Sequence, residues 1–197
     1  MSDWERLLKA SPLPYDLLCS TRCWLNKAGS AVIGTNTADV AAFWNAECLR
    51  RGLSVAEYHV CTFADPRYAT YHDELLGLVA AGKKRATAHL AIDFEINRIR
   101  WRAAGDYWVV VDTASKPHYL VRVTDVDVRP FNEVEPCFAA REGEGDISLD
   151  YWAKVHREYF QLQCAAWGVG WSETLPTVCE GFDLIASRTG GTLMAPS

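Results

Sequence analysis

Gly105-Asp106-Tyr107-Trp108-Val109-Val110-Val111 is the stretch from which the fold class follows most directly. The Gly-Asp pair turns the chain, and the five residues after it are aromatic or β-branched, the types that favour strands. A turn cluster follows, and a second β run extends from Tyr119 to Val128. In this second run the apolar positions change parity between Val123 and Val126. That change predicts a β-bulge near Thr124–Asp125.

Three helices are predicted around these strands, from apolar residues at helical spacing with a capping residue before them or a glycine after them. They cover about residues 38–51, 71–81 and 149–167. The third helix has an apolar stripe that predicts its core-facing side, formed by Leu149, Trp152, Val155, Tyr159 and Leu162. A short β-like segment spans residues 85–93, and a closing strand surrounds residues 178–184. Strands and helices in this order, without a repeating strand–helix–strand unit, indicate an α+β fold. A small mixed or antiparallel β-barrel with flanking helices satisfies the order.

The composition limits the classes of function. The chain has 197 residues, of which 49% are hydrophobic, and a net charge of −5. Proteins that bind long polyanions usually have a basic excess, so a DNA duplex is not an expected partner. A local basic pocket for a nucleotide or a short single strand remains compatible with this charge, because binding depends on local potential.

The termini and cysteines predict the compartment. Residues 1–5 lack the basic and apolar regions of a secretory signal, and no apolar run approaches the length of a membrane span. Seven cysteines show no disulfide or zinc spacing, and Cys19-x3-Cys23 has no second pair of ligands. We therefore expect a cytoplasmic protein with no membrane partner, no structural disulfide and no bound metal.

The strongest chemical signal is Gly82-Lys83-Lys84-Arg85-Ala86-Thr87-Ala88, where a helix ends and a strand begins. Cations after a helix C-terminus can simply complement the helix dipole in solvent. Alternatively, they face an anion near Thr87. A lysine can also activate a hydroxyl if neighbouring cations lower its pKa.

A second signal is the acidic segment Glu142-Gly143-Glu144-Gly145-Asp146. It can be a solvated turn before the Ser148 helix cap, where acidic residues favour the dipole. Its carboxylates can also pair with the lysines, or bind magnesium or manganese.

The ordered motifs resemble the ASCH family of the PUA-like superfamily over about residues 38–186. The resemblance rests on several segments at consistent distances: Phe43-Trp44, Thr62-Phe63-Ala64-Asp65, Asp73-Glu74-Leu75, residues 82–88, Gly105-Asp106-Tyr107, residues 124–134, residues 142–156 and Val178-Cys179-Glu180-Gly181-Phe182. It implies a PUA-like barrel at residues 38–186 and leaves an N-terminal extension at residues 1–37. Residues 187–197 are small and polar, and we expect them to form a flexible tail. Ala64 and Arg85 depart from the residues that the family commonly has, and the extension has no family counterpart.

The resemblance also implies a cleft and two functions. Members are associated with RNA binding, with hydrolysis of N-acylated cytidine and with ribonuclease activity. By motif, Lys84, Thr87 and Glu144 match the catalytic residues of the amidohydrolase branch, and Glu142 is the alternative acid. We expect Lys83, Arg85, Glu142 and Asp146 to bind the ligand, with Lys83 and Arg85 at the rim of the cleft.

Two interpretations stay open at this stage. In the first, the protein hydrolyses an acylated cytosine nucleoside without a cofactor: Thr87 attacks or positions water, Lys84 takes the proton and Glu144 relays protons to the departing amine. In the second, the protein is an RNA-binding module or a single-strand ribonuclease that uses the same basic cleft, and a ribonuclease can require a divalent cation. For the hydrolase we expect Lys84→Ala to abolish most turnover while thermal stability stays nearly unchanged.

Overall fold

The computed structural model describes residues 34–55, 57–63 and 69–188. Within these ranges, a curled five-stranded sheet forms a half-barrel with five α-helices around it, which confirms the predicted α+β architecture. The predictions for Ala64, for the Cys19–Cys23 pair, for most of the N-terminal extension and for most of the tail concern residues outside these ranges.

The helices and strands alternate irregularly along the chain. The helices are α1 (Ala38–Arg51), α2 (Ala69–Ala80), α3 (Ala91–Asn97), α4 (Pro136–Glu142) and α5 (Leu149–Trp167), with a 3₁₀ turn at Phe131–Glu133. The strands are β1 (His59–Cys61), β2 (Ala86–Leu90), β3 (Tyr107–Val111), β4 (Pro117–Pro130) and β5 (Pro176–Ser187).

Local capping sets the helix ends where the sequence predicts them. The Thr37 hydroxyl accepts a hydrogen bond from the Val40 amide at 3.2 Å, and Ser148 accepts one from the Tyr151 amide at 3.1 Å. Gly52 ends α1 in the left-handed region, with φ of 64°. These side chains and this glycine satisfy backbone groups that the first and last helical turns leave unpaired.

The sheet has the order β1-β3-β4-β5-β2. The β1–β3 pair is parallel and the other three pairs are antiparallel. In β4 the register shifts between Val123 and Asp125, which confirms the predicted bulge. A bulge bends its strand and increases the local twist, so it contributes to the curl of the sheet.

Side chains alternate across this sheet and divide the core. Val109 and Val111 pack with Trp44 of α1 on one side. Trp108 and Val110 pack with α2 on the other side. A third cluster lies under α5 and includes Phe160. This arrangement fixes α2 and α5 near the start of β2.

The β-like segment predicted at residues 85–93 is correct only in its first part. Strand β2 ends at Leu90, and α3 begins at Ala91. Ala91 and Phe94 lie three residues apart and are both buried in one cluster, the spacing of a helix face. No helix of the described residues is long and apolar enough to cross a membrane.

Candidate active site

A pocket with a volume of about 180 Å³ lies where α2, the start of β2, the end of α4 and one side of α5 meet. Its polar wall comes from the α2–β2 connection, β2 and the acidic segment. Its apolar wall comes from Phe63, Leu75 and three residues of α5. The described residues that line it are Phe63, Tyr71, Leu75, Lys84, Thr87, Ala88, His89, Glu142, Glu144, Val155, His156, Glu158, Tyr159 and Leu162.

Lys84 forms the centre of the polar wall, although it follows a helix end where a solvated cation is common. Its side chain is only 1% exposed. The ammonium donates to Glu142 Oε2 at 2.6 Å and to Glu144 Oε1 at 2.7 Å. It also lies 5.4 Å from the centre of the Phe63 ring. Both acids that the sequence left as alternatives therefore contact the same lysine.

The two carboxylates set the charge of Lys84. Burial by itself lowers the pKa of an ammonium, but Glu142 and Glu144 outweigh burial and raise the pKa of Lys84 above its ordinary value. The predicted lowering of this pKa by neighbouring cations is therefore wrong. Lys83 is exposed, and Arg85 lies toward Asp183 at 3.7 Å, so neither crowds the buried ammonium.

This burial also corrects the expectation that Lys84→Ala leaves stability nearly unchanged. Removal of Lys84 would leave two buried carboxylates without their cation, which is strongly destabilising. Activity and stability must therefore be separated through other residues.

Each carboxylate is held by a second donor. The Trp152 indole donates to Glu142 Oε1 at 2.8 Å, and the Tyr71 hydroxyl donates to Glu144 Oε2 at 2.5 Å. Burial opposes ionisation of Glu144, but Lys84 outweighs it and keeps the pKa of that carboxyl below its ordinary value. The pocket thus holds an ionised lysine between two fixed carboxylates.

Gly143 allows this arrangement. It ends α4 in the left-handed region, with φ of 69°, and a Cβ at this position would lie 2.4 Å from the Lys83 carbonyl oxygen. The Arg85 amide donates to the Arg141 carbonyl at 2.7 Å, which ties the same two segments together. Because only glycine tolerates this approach, the acidic segment can place Glu142 and Glu144 on either side of one lysine.

Thr87 and His89 reach the pocket from β2. They are two residues apart, so they lie on the same face of the strand. Thr87 is 5% exposed and His89 is 6% exposed. Thr87 is paired in register with Glu180 of β5. The structure thus brings Lys84, Thr87 and Glu144, the three predicted catalytic residues, to one pocket.

Only one of the four predicted ligand-binding residues lines the pocket. Glu142 lines the pocket, whereas Lys83, Arg85 and Asp146 are not among the lining residues. The Arg85 guanidinium donates to the Gly82 carbonyl at 3.1 Å. Asp146 is exposed and accepts from the Ser148 amide at 2.9 Å. Asp146 and Arg85 therefore order the backbone at the ends of the two segments that form the polar wall.

The apolar stripe predicted for α5 is correct in part as a core face, because Trp152 is buried and Leu149 and Tyr159 pack against the same core cluster. The buried positions of α5 are Trp152, His156, Phe160, Gln163 and Cys164. Val155 and Leu162 of the predicted stripe line the pocket rather than the core, and Leu162 is 49% exposed; Tyr159 contacts both. The buried face contains two polar residues, His156 and Gln163, so apolar residues at helical spacing do not identify the whole of it. The row formed by Val155, Tyr159 and Leu162 is the feature of the sequence that indicates that α5 contributes a wall of the pocket.

No sequence pattern identified His89, His156, Phe63 or Tyr71 as residues of the pocket, although all four line it. The His156 ring stacks on Trp152, with the ring centres 4.4 Å apart, and lines the pocket. In the part of the chain that the structure describes, no group of three or more His, Cys, Asp or Glu side chains is arranged to hold a metal ion. The five described cysteines are free thiols.

Comparison with known proteins agrees with this architecture. The family model of the ASCH domain matches residues 59–186. A crystal structure of an ASCH domain from Lactobacillus crispatus is similar, with a TM-score of 0.65 and 27% identity, over 73% of this chain and 92% of that one. A protein from Enterococcus faecalis is also similar, with a TM-score of 0.68 and 27% identity, over 75% of this chain and 88% of that one. No curated protein matches the chain significantly.

Proposed function

The chain belongs to the ASCH domain family, and from its pocket we propose that it is a hydrolase that removes the acyl group from an acylated cytosine nucleoside. The observation that carries the proposal is the buried Lys84 ammonium, fixed by Glu142 and Glu144 in the same pocket as Thr87. Buried charges that are fixed in position stabilise the charge that develops when an amide is attacked.

The charge of the pocket supports an uncharged ligand. Among its described lining residues, the carboxylates of Glu142, Glu144 and Glu158 exceed the single ammonium of Lys84 by two. A phosphate would meet this negative potential without an unpaired cation. Of the three cations that favoured an anion in the sequence, Lys84 lines the pocket but is paired with carboxylates, and Lys83 and Arg85 are not lining residues. A nucleoside therefore fits the pocket better than a nucleotide or an RNA backbone does.

The shape of the pocket supports a small flat ligand. A volume of about 180 Å³ is below the usual range for drug-sized ligands. The Phe63 ring beside Lys84 and the α5 wall offer apolar contacts to a flat base. These features suit one base and its acyl group rather than several nucleotides of a strand.

The roles of the residues follow from their protonation. Lys84 begins as an ammonium with two of its N–H groups on carboxylates, so its remaining N–H donates to the amide oxygen as negative charge develops there. The Lys84–Glu144 pair then supplies a proton to the departing amine. Thr87 either attacks the acyl carbon or holds the attacking water. Lys84 cannot begin as the base, because its pKa is raised.

The test compares two substitutions at one buried position. Thr87→Val keeps the shape and removes the hydroxyl, whereas Thr87→Ser keeps a hydroxyl. With N-acetylcytidine we expect Thr87→Val to lower kcat/KM by at least about 100-fold, the range for loss of one catalytic group, and Thr87→Ser to retain part of the activity. The control is Thr124→Val, because Thr124 is exposed and lies outside the pocket.

Labelled single-stranded RNA is assayed in parallel for binding and cleavage. Full turnover by Thr87→Val would remove Thr87 from the mechanism. A wild-type protein that leaves acylated cytosine nucleosides intact but binds or cleaves the RNA would replace the proposed function with the RNA interpretation.

A further inference from the structure

A second buried ion pair lies behind the pocket. Arg102 and Glu180 are 1% and 0% exposed, and the guanidinium donates to Glu180 Oε1 at 2.8 Å and to Oε2 at 2.5 Å. Burial opposes ionisation of Glu180, but Arg102 outweighs it and lowers the pKa of this carboxyl to about 2. Glu180 is therefore a permanent negative charge at neutral pH.

His89 lies between this ion pair and the pocket. Its Nε2 lies 3.4 Å from Glu180 Oε2, and the residue lines the pocket beside Thr87. No described residue gives this nitrogen a conventional hydrogen bond. A buried imidazole with a carboxylate at one nitrogen favours a proton on that nitrogen, which leaves the other nitrogen as an acceptor. Resting catalytic hydrogen bonds are often this long.

The proposed hydrolysis requires such an acceptor. Lys84 starts protonated, and Glu144 already accepts from Lys84 and Tyr71. The attacking oxygen must still lose a proton. Thr87 and His89 share one face of β2 and both line the pocket, so the imidazole opens onto the same space as the hydroxyl that attacks or holds water.

We propose that His89 is the general base of the pocket and that Glu180 positions its ring. The inference rests on the proposed hydrolase function. As the attacking oxygen bonds to the acyl carbon, its proton passes to His89. The carbon–nitrogen bond then breaks with its electron pair on nitrogen, which takes a proton from the Lys84–Glu144 pair. The imidazolium returns its proton to that pair through water. Where Thr87 is the attacking group, a water then cleaves the acyl-Thr87 ester: its proton passes to His89 and from there to the Thr87 oxygen as the ester bond breaks. In either case one water is consumed, and a carboxylic acid and the free amine are formed.

The charges around the imidazole come from several elements. Glu180 on β5 and Arg102 lie behind it, and Asp93 on α3 adds a charge near Arg102. The titratable residues that share the pocket with it are Tyr71, Lys84, Glu142, Glu144, His156, Glu158 and Tyr159. Substitution of His89 itself, rather than of these neighbours, isolates its contribution.

The experiment measures the hydrolysis of N-acetylcytidine against pH by the wild-type protein, His89→Gln and the control His118→Gln. His118 is half-buried, outside the pocket, and pairs with Asp112 at 3.0 Å. We expect His89→Gln to lower kcat by about 100- to 10,000-fold, as for loss of a general base, with KM little changed. The acid limb of the pH profile should disappear in this variant and persist in the control. Imidazole should restore part of the activity of His89→Ala.

A second measurement tests the orientation without a variant that disturbs the core. The imidazole ¹⁵N spectrum of the wild-type protein, assigned with His89→Gln, should show His89 with its proton on Nε2, facing Glu180. A proton on Nδ1 would overturn the role of Glu180.

The outcomes separate the two proposals. If the wild-type protein hydrolyses the substrate and His89→Gln keeps its rate and pH profile, the role of His89 is refuted while the hydrolase stands. If the wild-type protein hydrolyses no acylated cytosine nucleoside, the proposed function fails and the role of His89 fails with it.

Discussion

The substitution Lys84→Met should destabilise the protein far more than Lys83→Met, its neighbour in the sequence. Methionine keeps the length and apolar stem of lysine but removes the charge. In Lys84→Met the carboxylates of Glu142 and Glu144 stay buried without the ammonium that lies 2.6 and 2.7 Å from them. Breaking a buried ion pair costs about 3–5 kcal/mol. For a domain of this size that corresponds to a decrease in Tm of about 6–20 °C.

The same variant should acquire a pH dependence. Without the cation that lowers it, burial raises the pKa of Glu144. The folded state then binds more protons than the unfolded state above the ordinary carboxyl pKa, so stability falls as pH rises. The deficit of Lys84→Met should therefore be larger at pH 8 than at pH 5. Lys83 is exposed, and its substitution should stay within about 0.5 kcal/mol of wild type at both pH values.

The assay is urea unfolding followed by circular dichroism at pH 5 and pH 8. The triple variant Lys84→Met, Glu142→Gln, Glu144→Gln provides the charge-neutral control and should recover much of the lost free energy of unfolding. Equal losses in Lys84→Met and Lys83→Met would refute the reasoning, and so would a deficit that does not change with pH.

Three further outcomes follow from single positions. Gly143→Ala, with φ of 69° and a Cβ 2.4 Å from a carbonyl oxygen, should lower both the free energy of unfolding and ligand affinity, whereas Gly77→Ala, which has open space, should lower neither. Burial and Arg102 lower the pKa of His59 to about 4. The contribution of His59 to the free energy of unfolding should therefore be fully present above pH 6.5 and be lost as pH decreases toward 4. His59→Gln should flatten the dependence of the free energy of unfolding on pH in this range, and an unchanged dependence would contradict the lowered pKa of His59. Glu158→Lys should improve binding of cytidine 5′-monophosphate relative to cytidine in calorimetry, because it removes a negative charge from the pocket lining; an unchanged ratio would argue against a role of pocket charge in selecting the ligand.

The RNA interpretation uses the cations Lys83, Lys84 and Arg85. Because the Lys84 ammonium is paired with two carboxylates, the cations left for a phosphate are Lys83, which is exposed, and Arg85, which lies near Asp183. A single strand bound through them would lie outside the pocket, so binding should be salt-dependent and insensitive to Thr87→Val. Hydrolysis in the pocket should instead be insensitive to salt and should decrease in Thr87→Val.

The order and limits of most elements were predictable from the sequence because they depend on neighbours along the chain. Thr37, Ser148 and Gly52 cap helices through contacts within a few residues. The parity change in β4 located its bulge. Lys84 and Thr87 are only three residues apart, on either side of the start of β2, so the sequence alone placed them in the same part of the fold. Local periodicity and capping carry this information without reference to the rest of the fold.

The state of the site was decided by the tertiary structure alone. Lys84 is an ammonium because carboxylates 58 and 60 residues away enter its pocket, whereas the adjacent cations that suggested a lowered pKa point elsewhere. His89 gains a carboxylate partner only through the pairing of β2 with β5. The division of α5 into a core face and a pocket wall depends on what packs against each side. Burial and through-space distance set pKa values and exposure, and neither quantity is a property of spacing along the chain.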